Sequence, residues 1–336
     1  MKKMSNYVLD IEIFIVYRYN YDGDNMHKKR KLNTKNLAKL ITVIILIIIS
    51  IMGIKTIIYR NSNEYKLKEI GYNNNQIEEI KKLDKKFQVK ILETDYDEFL
   101  ITLFNEKYFN FDNFDRYIKL HLEDKDMVAT NVVAIVNVNS DYEQYTETKE
   151  TDISKDTLML VNKYNYLPKN YEPDDIVDIK NWYAYGENQI REEVYDKFID
   201  MFNAAKKEGL TLIITSGYRD EQEQTETYED LKYSHSTEEA DRTVARPGFS
   251  EHQTGLCLDI VTYDVDGDEF EQTAEFKWMS DNAYKYGFIL RYPKGKEMIT
   301  GYDYESWHYR YVGEKAAKEI KDLDITFDEY YEYYIK

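Results

Sequence analysis

The chain has 336 residues, 43% of them hydrophobic, which is enough to bury one good-sized core and leaves room for a second small domain. Its formal charge of −18 at pH 7 argues against a nucleic acid partner, because phosphate binding needs a basic surface. The single Cys excludes a disulfide within the chain but does not indicate the compartment, because a surface protein of this size need not use disulfides.

The first informative segment is a basic stretch followed by an apolar run. Six Lys and Arg residues and no acidic residue lie between His27 and Lys39, and residues 40–58 follow directly. About 19 residues at a rise of 1.5 Å cover about 28 Å, close to the hydrocarbon core of a bilayer. The pattern predicts a single transmembrane helix at residues 40–58. The basic flank predicts that residues 1–39 are cytoplasmic and that the chain after about Arg60 is extracellular.

Two alternatives concern this amino-terminal region. A cleaved signal peptide would also combine a basic flank with an apolar run. The run is long for such a peptide and no small-residue cleavage site follows it, so a retained anchor is favoured. Translation from Met26 would produce a typical basic signal-anchor start, which leaves the start of the protein open between Met1 and Met26.

The pattern of residues 60–127 predicts a stalk of short helices. Ile77, Ile80 and Leu83 recur at helical spacing, Asn73 offers a cap for that helix, and Gly71 a stop for the helix before it. Similar spacing recurs at residues 99–104 and 114–122. We interpret the segment as a spacer, with a binding module as the alternative.

The pattern of residues 128–336 predicts a catalytic domain of mixed helices and strands. Strands are expected at residues 132–138, 210–215, 256–261, 288–292 and 307–312, and helices at 189–207, 221–232, 273–286 and 315–321. Because strands and helices do not alternate strictly, the fold class is α+β with a mostly antiparallel sheet flanked by helices.

Two of these strands carry candidate metal ligands. Asp259 lies in the strand at residues 256–261, and His252 precedes it by seven residues, across a turn that Gly255 permits. His308 lies in the strand at residues 307–312. Two imidazoles and one carboxylate hold zinc and leave its fourth position for water. The sequence therefore predicts one zinc ion per chain, held by His252, Asp259 and His308.

Other titratable residues near this pattern have different expected roles. Glu305 lies in the turn before the strand of His308 and is the predicted general base that accepts a proton from water. Glu251 is a second candidate base, but beside a ligand on a loop we expect it to be solvated. Cys257 shares a strand face with Asp259, and we expect a small buried side chain beneath the site rather than a ligand. We expect no role for the remaining histidines, His27, His121 and His235.

Several motifs occur in order around these residues. They are residues 216–219 (Ser-Gly-Tyr-Arg), 245–248 (Ala-Arg-Pro-Gly), 250–259, 291–296 with 300–302, and 305–308 (Glu-Ser-Trp-His). From about Leu158 to Gly313 the chain resembles the VanY-type D-alanyl-D-alanine carboxypeptidases, LAS-type zinc peptidases that trim peptidoglycan stem peptides in bacteria. It departs from them at Ser306, where many relatives carry Pro, and at Cys257, where Ala is usual. The motifs do not cover residues 1–125.

The resemblance implies the same three zinc ligands, Glu305 as general base, and a substrate region around Arg219, Gln224 and Ser250, to which we add Tyr218 and Trp307. Arg219 would stabilise the developing oxyanion or bind the substrate's terminal carboxylate, and the sequence leaves both open.

The predicted function is a membrane-anchored, extracytoplasmic zinc carboxypeptidase that removes the terminal D-Ala from peptidoglycan stem peptides. The alternatives are an L,D-carboxypeptidase, a peptidoglycan endopeptidase, or an inactive wall-binding module. The last would be indicated by loss of a ligand or of Glu305, and all four residues are present.

Overall fold

The computed structural model describes residues 17–19, 30–263, 265 and 267–336. Met26, His27, Lys28 and Lys29 lie outside the described residues. The chain divides into two compact units, Met1–Phe104 and Asn105–Lys336. The predicted boundary between residues 127 and 128 stays a prediction.

The first unit contains one long apolar helix. Strands β1 (Tyr17–Tyr19) and β2 (Arg30–Leu32) pair antiparallel, and helix α1 (Thr34–Arg60) follows. The side chain of Asn33 caps α1 by accepting a hydrogen bond from the backbone N–H of Asn36 at 3.3 Å. The most apolar stretch of α1 has a mean hydropathy of 2.8, and none of it is buried in the protein. By length and composition α1 is able to cross a membrane, and a signal sequence would meet the same two criteria.

Four short helices complete the first unit, three of them at segments where the sequence predicted helices. They are α2 (Asn63–Ile70), α3 (Asn74–Ile80), α4 (Lys85–Leu92) and α5 (Phe99–Leu103). Each buries at least one aliphatic side chain, including Leu67, Ile80, Ile91 and Leu100. Asn73 and Gln76 form a reciprocal capping box at the start of α3.

The second unit starts with helices rather than with the predicted strand. Helix α6 (Phe114–Glu123) precedes helix α7 (Ala129–Asn137), which occupies most of residues 132–138, so the strand prediction there was wrong. Every residue of α7 from Val132 to Asn137 is buried. Burial on all sides explains the continuous run of aliphatic residues, and packing overrides the strand preference of Val and Ile.

A four-stranded sheet forms the centre of the second unit. Its strands are β7 (Ile213–Ser216), β8 (Cys257–Val261), β9 (Phe288–Leu290) and β10 (His308–Tyr311), in the order β7-β8-β10-β9. All three pairings in this sheet are antiparallel. Away from it, β3 (Lys149–Glu150) pairs parallel with β4 (Asn165–Tyr166), and β5 (Ile176–Asp178) pairs antiparallel with β6 (Gln189–Arg191). The fold is a mixed α/β fold with a small central sheet.

Helices pack beside this sheet over a continuous apolar core. The longest, α8 (Glu192–Lys207), contributes Val194, Phe198 and Met201, which pack with Leu258 and Ile260 of β8. The other helices of the unit are α9 (Glu221–Ser234), α10 (Thr237–Thr243), α11 (Ala274–Asn282), α12 (Glu297–Thr300), α13 (Glu314–Leu323) and α14 (Phe327–Tyr330).

Two helix predictions were too long. The expected helix at residues 189–207 begins only at Glu192, because residues 189–191 pair with β5 as β6. The expected helix at residues 273–286 is α11 followed by a 3₁₀ turn (Ala283–Tyr286), and it stops at Gly287 as predicted. Gly287 has a φ of 88°, and an added Cβ would lie 2.5 Å from the ring of Tyr311, so only Gly fits there.

Candidate metal centre and cleft

The sheet and one short turn bring three donor side chains together. His252 lies in a 3₁₀ turn (Glu251–Thr254) that ends at Gly255, whose φ is 63°. Asp259 on β8 lies directly opposite His308 on β10 in the antiparallel register. Oδ2 of Asp259 is 3.4 Å from Nε2 of His252, and its Oδ1 is 3.1 Å from Nδ1 of His308. The two imidazole rings are almost perpendicular, with centroids 5.0 Å apart.

Each imidazole has one nitrogen toward Asp259 and the other toward a different group. Nδ1 of His252 is 2.6 Å from the carbonyl oxygen of Gly217, a distance at which Nδ1–H donates and Nε2 keeps its lone pair. His308 has the opposite orientation, with Nδ1 toward Asp259 and Nε2 facing Oε2 of Glu251 at 3.6 Å. The ring orientations therefore place a lone pair of each imidazole beside the same carboxylate.

These three residues fit a zinc ion by donor chemistry and spacing. Zn–N and Zn–O bonds of about 2.0–2.2 Å at tetrahedral angles put ligand atoms roughly 3.3–3.6 Å apart. The separations of 3.4 and 3.1 Å involve different oxygens of Asp259, and each lies within a few tenths of an ångström of that range. Among the described residues, Oδ1 of Asp259 is buried without a hydrogen-bond partner. Burial alone would raise the pKa of Asp259, but the charges of His252 and His308 hold it below its usual range, so the carboxylate stays ionised as a ligand must.

Cys257 lies beside the candidate metal ligands. Its side chain is fully buried, as the sequence predicted. Its sulfur and one ring nitrogen each from His252 and His308 lie within 4.8 Å of one another. Burial raises the pKa of the Cys257 thiol, but the two neighbouring imidazoles outweigh this effect and lower the pKa to about 7. Its position makes Cys257 an alternative to Asp259 as third ligand.

Glu305 precedes β10 and faces the same centre. One of its oxygens is 3.5 Å from Nδ1 of His308, and its backbone N–H donates to the carbonyl of Tyr292 at 3.2 Å. Burial raises the pKa of Glu305 to about 7, and the nearby charge of Asp259 acts in the same direction. A carboxyl group with this pKa is able to accept and return a proton near neutral pH.

The three candidate ligands and Glu305 open onto a cleft of about 610 Å³. Four of the five residues predicted to contact substrate line it: Arg219, Gln224, Ser250 and Trp307. Tyr218 does not line this cleft but a separate shallow pocket, which it shares with Arg219. The cleft is also lined by residues that the sequence analysis did not single out, including Thr227, Leu231, Val244, Tyr304 and Glu239. His121 and His235 do not line it.

Arg219 and Gln224 are held in place by contacts to the backbone around the site. The backbone N–H of Arg219 donates to the carbonyl of His252 at 3.2 Å. The side-chain amide of Gln224 donates to the carbonyl of Ala245 at 2.7 Å. Within the described part of the chain, Nε of Arg219 and Oε1 of Gln224 are buried without hydrogen-bond partners. Their hydrogen-bonding capacity is therefore not used within that part of the chain.

The expectation that Glu251 is solvated was wrong. Its side chain is 2% exposed and forms ion pairs with Arg291 at 2.7 Å and Arg310 at 3.0 Å. Asp328 forms a further ion pair with Arg291 at 2.6 Å. The sequence contained one signal of this network, because Arg310 shares the face of its strand with His308 in an otherwise apolar and aromatic segment.

A mixed α/β fold with two imidazoles, carboxylates and a buried glutamate around one cleft defines a metal-dependent hydrolase. A family model described as D-alanyl-D-alanine carboxypeptidase (VanY) matches residues 187–314. The D-alanyl-D-alanine carboxypeptidase of Enterococcus faecium is 32% identical over 250 residues, which cover 71% of this chain and 74% of the relative. YodJ of Bacillus subtilis (strain 168), whose name describes a carboxypeptidase, is 48% identical over 183 residues, covering 52% of this chain and 67% of the relative.

A solved carboxypeptidase structure also resembles this chain. The LdcB LD-carboxypeptidase superimposes with a TM-score of 0.52 and 44% identity, over 56% of this chain and 92% of that chain. The chain belongs to the VanY family of D-alanyl-D-alanine carboxypeptidases, which are zinc metallopeptidases, and zinc is its cofactor. The predicted family, enzyme class and cofactor are confirmed.

Proposed function

We propose that the protein is a membrane-anchored, extracytoplasmic D,D-carboxypeptidase that removes the terminal D-Ala from peptidoglycan stem peptides. The observation that carries this proposal is the convergence of His252, Asp259 and His308 on one point of a cleft that Glu305 and Arg219 also line. Such a cleft combines a metal centre, a proton acceptor and a cation for a terminal carboxylate.

In this proposal His252, Asp259 and His308 hold the zinc ion. When bound, zinc supplies Lewis acidity, which polarises the scissile carbonyl and makes water a better nucleophile. Glu305 accepts the proton that the attacking water loses, and it returns that proton to the departing amine of D-Ala. The raised pKa of Glu305 supports this double role, because a carboxylate of ordinary pKa is a weak proton acceptor and barely holds a proton at neutral pH.

Arg219 binds the free carboxylate of the substrate in this proposal. The partnerless Nε of Arg219 and the planar fork of its guanidinium suit a bidentate pair with a carboxylate. Gln224 contributes its free Oε1 as an acceptor for a substrate N–H. Ser250 and Trp307 line the cleft beside the candidate ligands and complete the substrate contacts, while Tyr218 contributes from the pocket that it shares with Arg219.

An L,D-carboxypeptidase is the second candidate, favoured by one observation. The structure that superimposes with 44% identity is an LD-carboxypeptidase that recognises peptidoglycan. Both activities use the same catalytic groups and differ in the stereochemistry of the residue before the scissile bond. The shape of the cleft near Thr227, Leu231 and Val244 would therefore make the distinction.

We also propose that α1 anchors the enzyme with residues 1–39 in the cytoplasm. The apolar, fully exposed surface of α1 supports a membrane span, and the excess of Lys and Arg before it supports the orientation. Protease added to intact cells stripped of their wall should remove the catalytic unit and leave a fragment that contains α1. Complete protection of the catalytic unit would mean that this unit is cytoplasmic, which would contradict the proposed orientation.

Product analysis tests the activity directly. The full chain in detergent is incubated with pentapeptide stems ending in D-Ala-D-Ala and with tetrapeptide stems ending in a single D-Ala, and the products are identified by mass. A D,D-carboxypeptidase shortens the pentapeptide by one D-Ala, whereas an L,D-carboxypeptidase shortens the tetrapeptide. No hydrolysis of either stem by the zinc-loaded protein would contradict the proposal.

A further inference from the structure

A buried network of charges lies next to His308, and one of its members, Glu251, is also among the residues that line the cleft. Glu251, Arg291, Arg310 and Asp328 are each at most 2% exposed. Arg291 donates from Nε to Glu251 at 2.7 Å and from Nη1 to Asp328 at 2.6 Å. Asp328 also accepts a hydrogen bond from Asn162 at 2.8 Å. Charges that are so deeply buried are costly, which makes a role beyond stability worth testing.

One carboxylate oxygen of this network is left for His308. Oε1 of Glu251 takes both ion pairs, to Arg291 at 2.7 Å and to Arg310 at 3.0 Å. Its second oxygen, Oε2, faces Nε2 of His308 at 3.6 Å. Both of these facing atoms are buried, and neither has a hydrogen-bond partner among the residues that the structure describes. A shift of a few tenths of an ångström would convert this contact into a hydrogen bond.

The opposite nitrogen of the same ring faces Asp259. Because Nδ1 of His308 lies 3.1 Å from Asp259, the proton of a neutral imidazole that uses Nδ1 as a ligand must be on Nε2. A carboxylate that accepts this proton fixes the tautomer and the ring orientation and increases the basicity of the ligating nitrogen.

We propose that Glu251 is a positioning residue for the metal centre, held by Arg291, Arg310 and Asp328 so that its free oxygen orients the His308 ring. The inference rests on the proposed role of His308 as a zinc ligand. In this inference Glu251 is adjacent in sequence to one proposed ligand, His252, but orients a different one, His308.

Two arginines fix the position of the Glu251 carboxylate, because both form ion pairs with its Oε1. Arg310 is itself fixed by donating to the carbonyls of Met159 at 2.9 Å and Thr157 at 3.1 Å. The carboxylate is thus held by two arginines through Oε1, and its second oxygen faces the ring of His308.

Zinc affinity is the measurement that separates positioning from a purely structural role. Glu251→Gln should lower the affinity of the full chain for zinc, measured by competition with a chelator, about 10- to 100-fold, the range typical of carboxylates behind ligating histidines. Asp328→Asn breaks an ion pair of the same Arg291 but leaves Glu251 beside His308, so it should change the affinity much less. Glu329→Gln, a buried glutamate on the same helix that bonds to Thr326, is the matched control.

A spectroscopic readout covers the case in which Glu251→Gln folds poorly. In the zinc-loaded wild type, the Nε2–H proton of His308 should resonate far downfield and exchange slowly with solvent because it is hydrogen-bonded to Glu251. Glu251→Asp, which shortens the carboxylate, should weaken both signatures while the chain stays folded. Equal zinc affinity in wild type and Glu251→Gln, or equal losses in Glu251→Gln and Asp328→Asn, would overturn the inference. Unchanged zinc binding in His308→Ala would instead overturn the proposed ligand set, so the two failures are distinguishable.

Discussion

His308 and Asp259 face each other across the antiparallel strands β10 and β8, with Nδ1 of His308 3.1 Å from Oδ1 of Asp259. A directly opposed pair in an antiparallel ladder has its side chains on the same face of the sheet. Pairing two strands in this one register is therefore sufficient to bring together two candidate ligands that are 49 residues apart in the sequence. His252 joins them from the turn that precedes β8.

Metal content is the first prediction. The wild type should bind one zinc ion per chain, and His252→Ala or His308→Ala should abolish stoichiometric binding, because each removes one of three protein ligands. Elemental analysis of protein purified without chelator measures this. His235→Ala, an exposed histidine on a different segment, is the control and should bind zinc like the wild type.

The sequence placed Asp259 and His308 on two strands, and alternation of side chains along a strand showed which residues share a face with each of them. The register that sets the two residues opposite each other is known only from the structure. The strand prediction at residues 132–138 failed because a helix buried on all sides has no amphipathic period to distinguish it from a strand. The prediction that Glu251 is solvated was wrong for a different reason. Its partners Arg291 and Arg310 lie 40 and 59 residues further along the chain, and only the tertiary fold brings their charges to it.

The second prediction distinguishes Asp259 from Cys257 as third ligand. With cobalt in place of zinc, a thiolate ligand gives a sulfur-to-metal charge-transfer band in the near ultraviolet, whereas a carboxylate gives none. The proposed ligand set predicts that the cobalt-loaded wild type lacks this band and that the Cys257→Ala variant keeps the metal. A band that disappears in Cys257→Ala would show that Cys257 is a ligand.

Glu305→Gln separates proton transfer from metal binding. The amide keeps the shape of the side chain but cannot accept a proton, so hydrolysis of the stem peptide should fall about 10²- to 10⁴-fold. Zinc stoichiometry should not change, because Glu305 is not a ligand in the proposed mechanism. Glu314→Gln, an exposed glutamate paired with Lys197, should retain full activity. Loss of zinc in Glu305→Gln would reassign the residue as a ligand.

Lys163 gives a prediction about stability and pH. This lysine is fully buried against the rings of Tyr302 and Tyr145, and burial lowers its pKa to about 7 from an ordinary value near 10.5. Between these two values the unfolded chain binds a proton that the folded chain has released, so the free energy of unfolding rises with pH.

Relative to Lys163→Met, the wild type should therefore gain up to about 1.4 kcal/mol in its free energy of unfolding per pH unit above pH 7. Urea unfolding of both proteins at pH 7 and pH 9 measures this difference. A difference that does not change with pH would mean that the contacts with the two rings keep the ammonium charged in the folded protein.

The last prediction concerns how the enzyme recognises the end of its substrate. A carboxypeptidase must bind a free terminal carboxylate, and Arg219 is a cation of the cleft with an unpaired, buried Nε. Arg219→Lys keeps the charge but loses the two-pronged geometry, so kcat/KM on a stem peptide with a free carboxylate should fall strongly while zinc content stays constant. Amidation of that carboxylate should abolish cleavage by the wild type. If the amidated and free peptides are cut at the same rate, the enzyme is an endopeptidase, and Arg219 then has a role at the developing oxyanion instead.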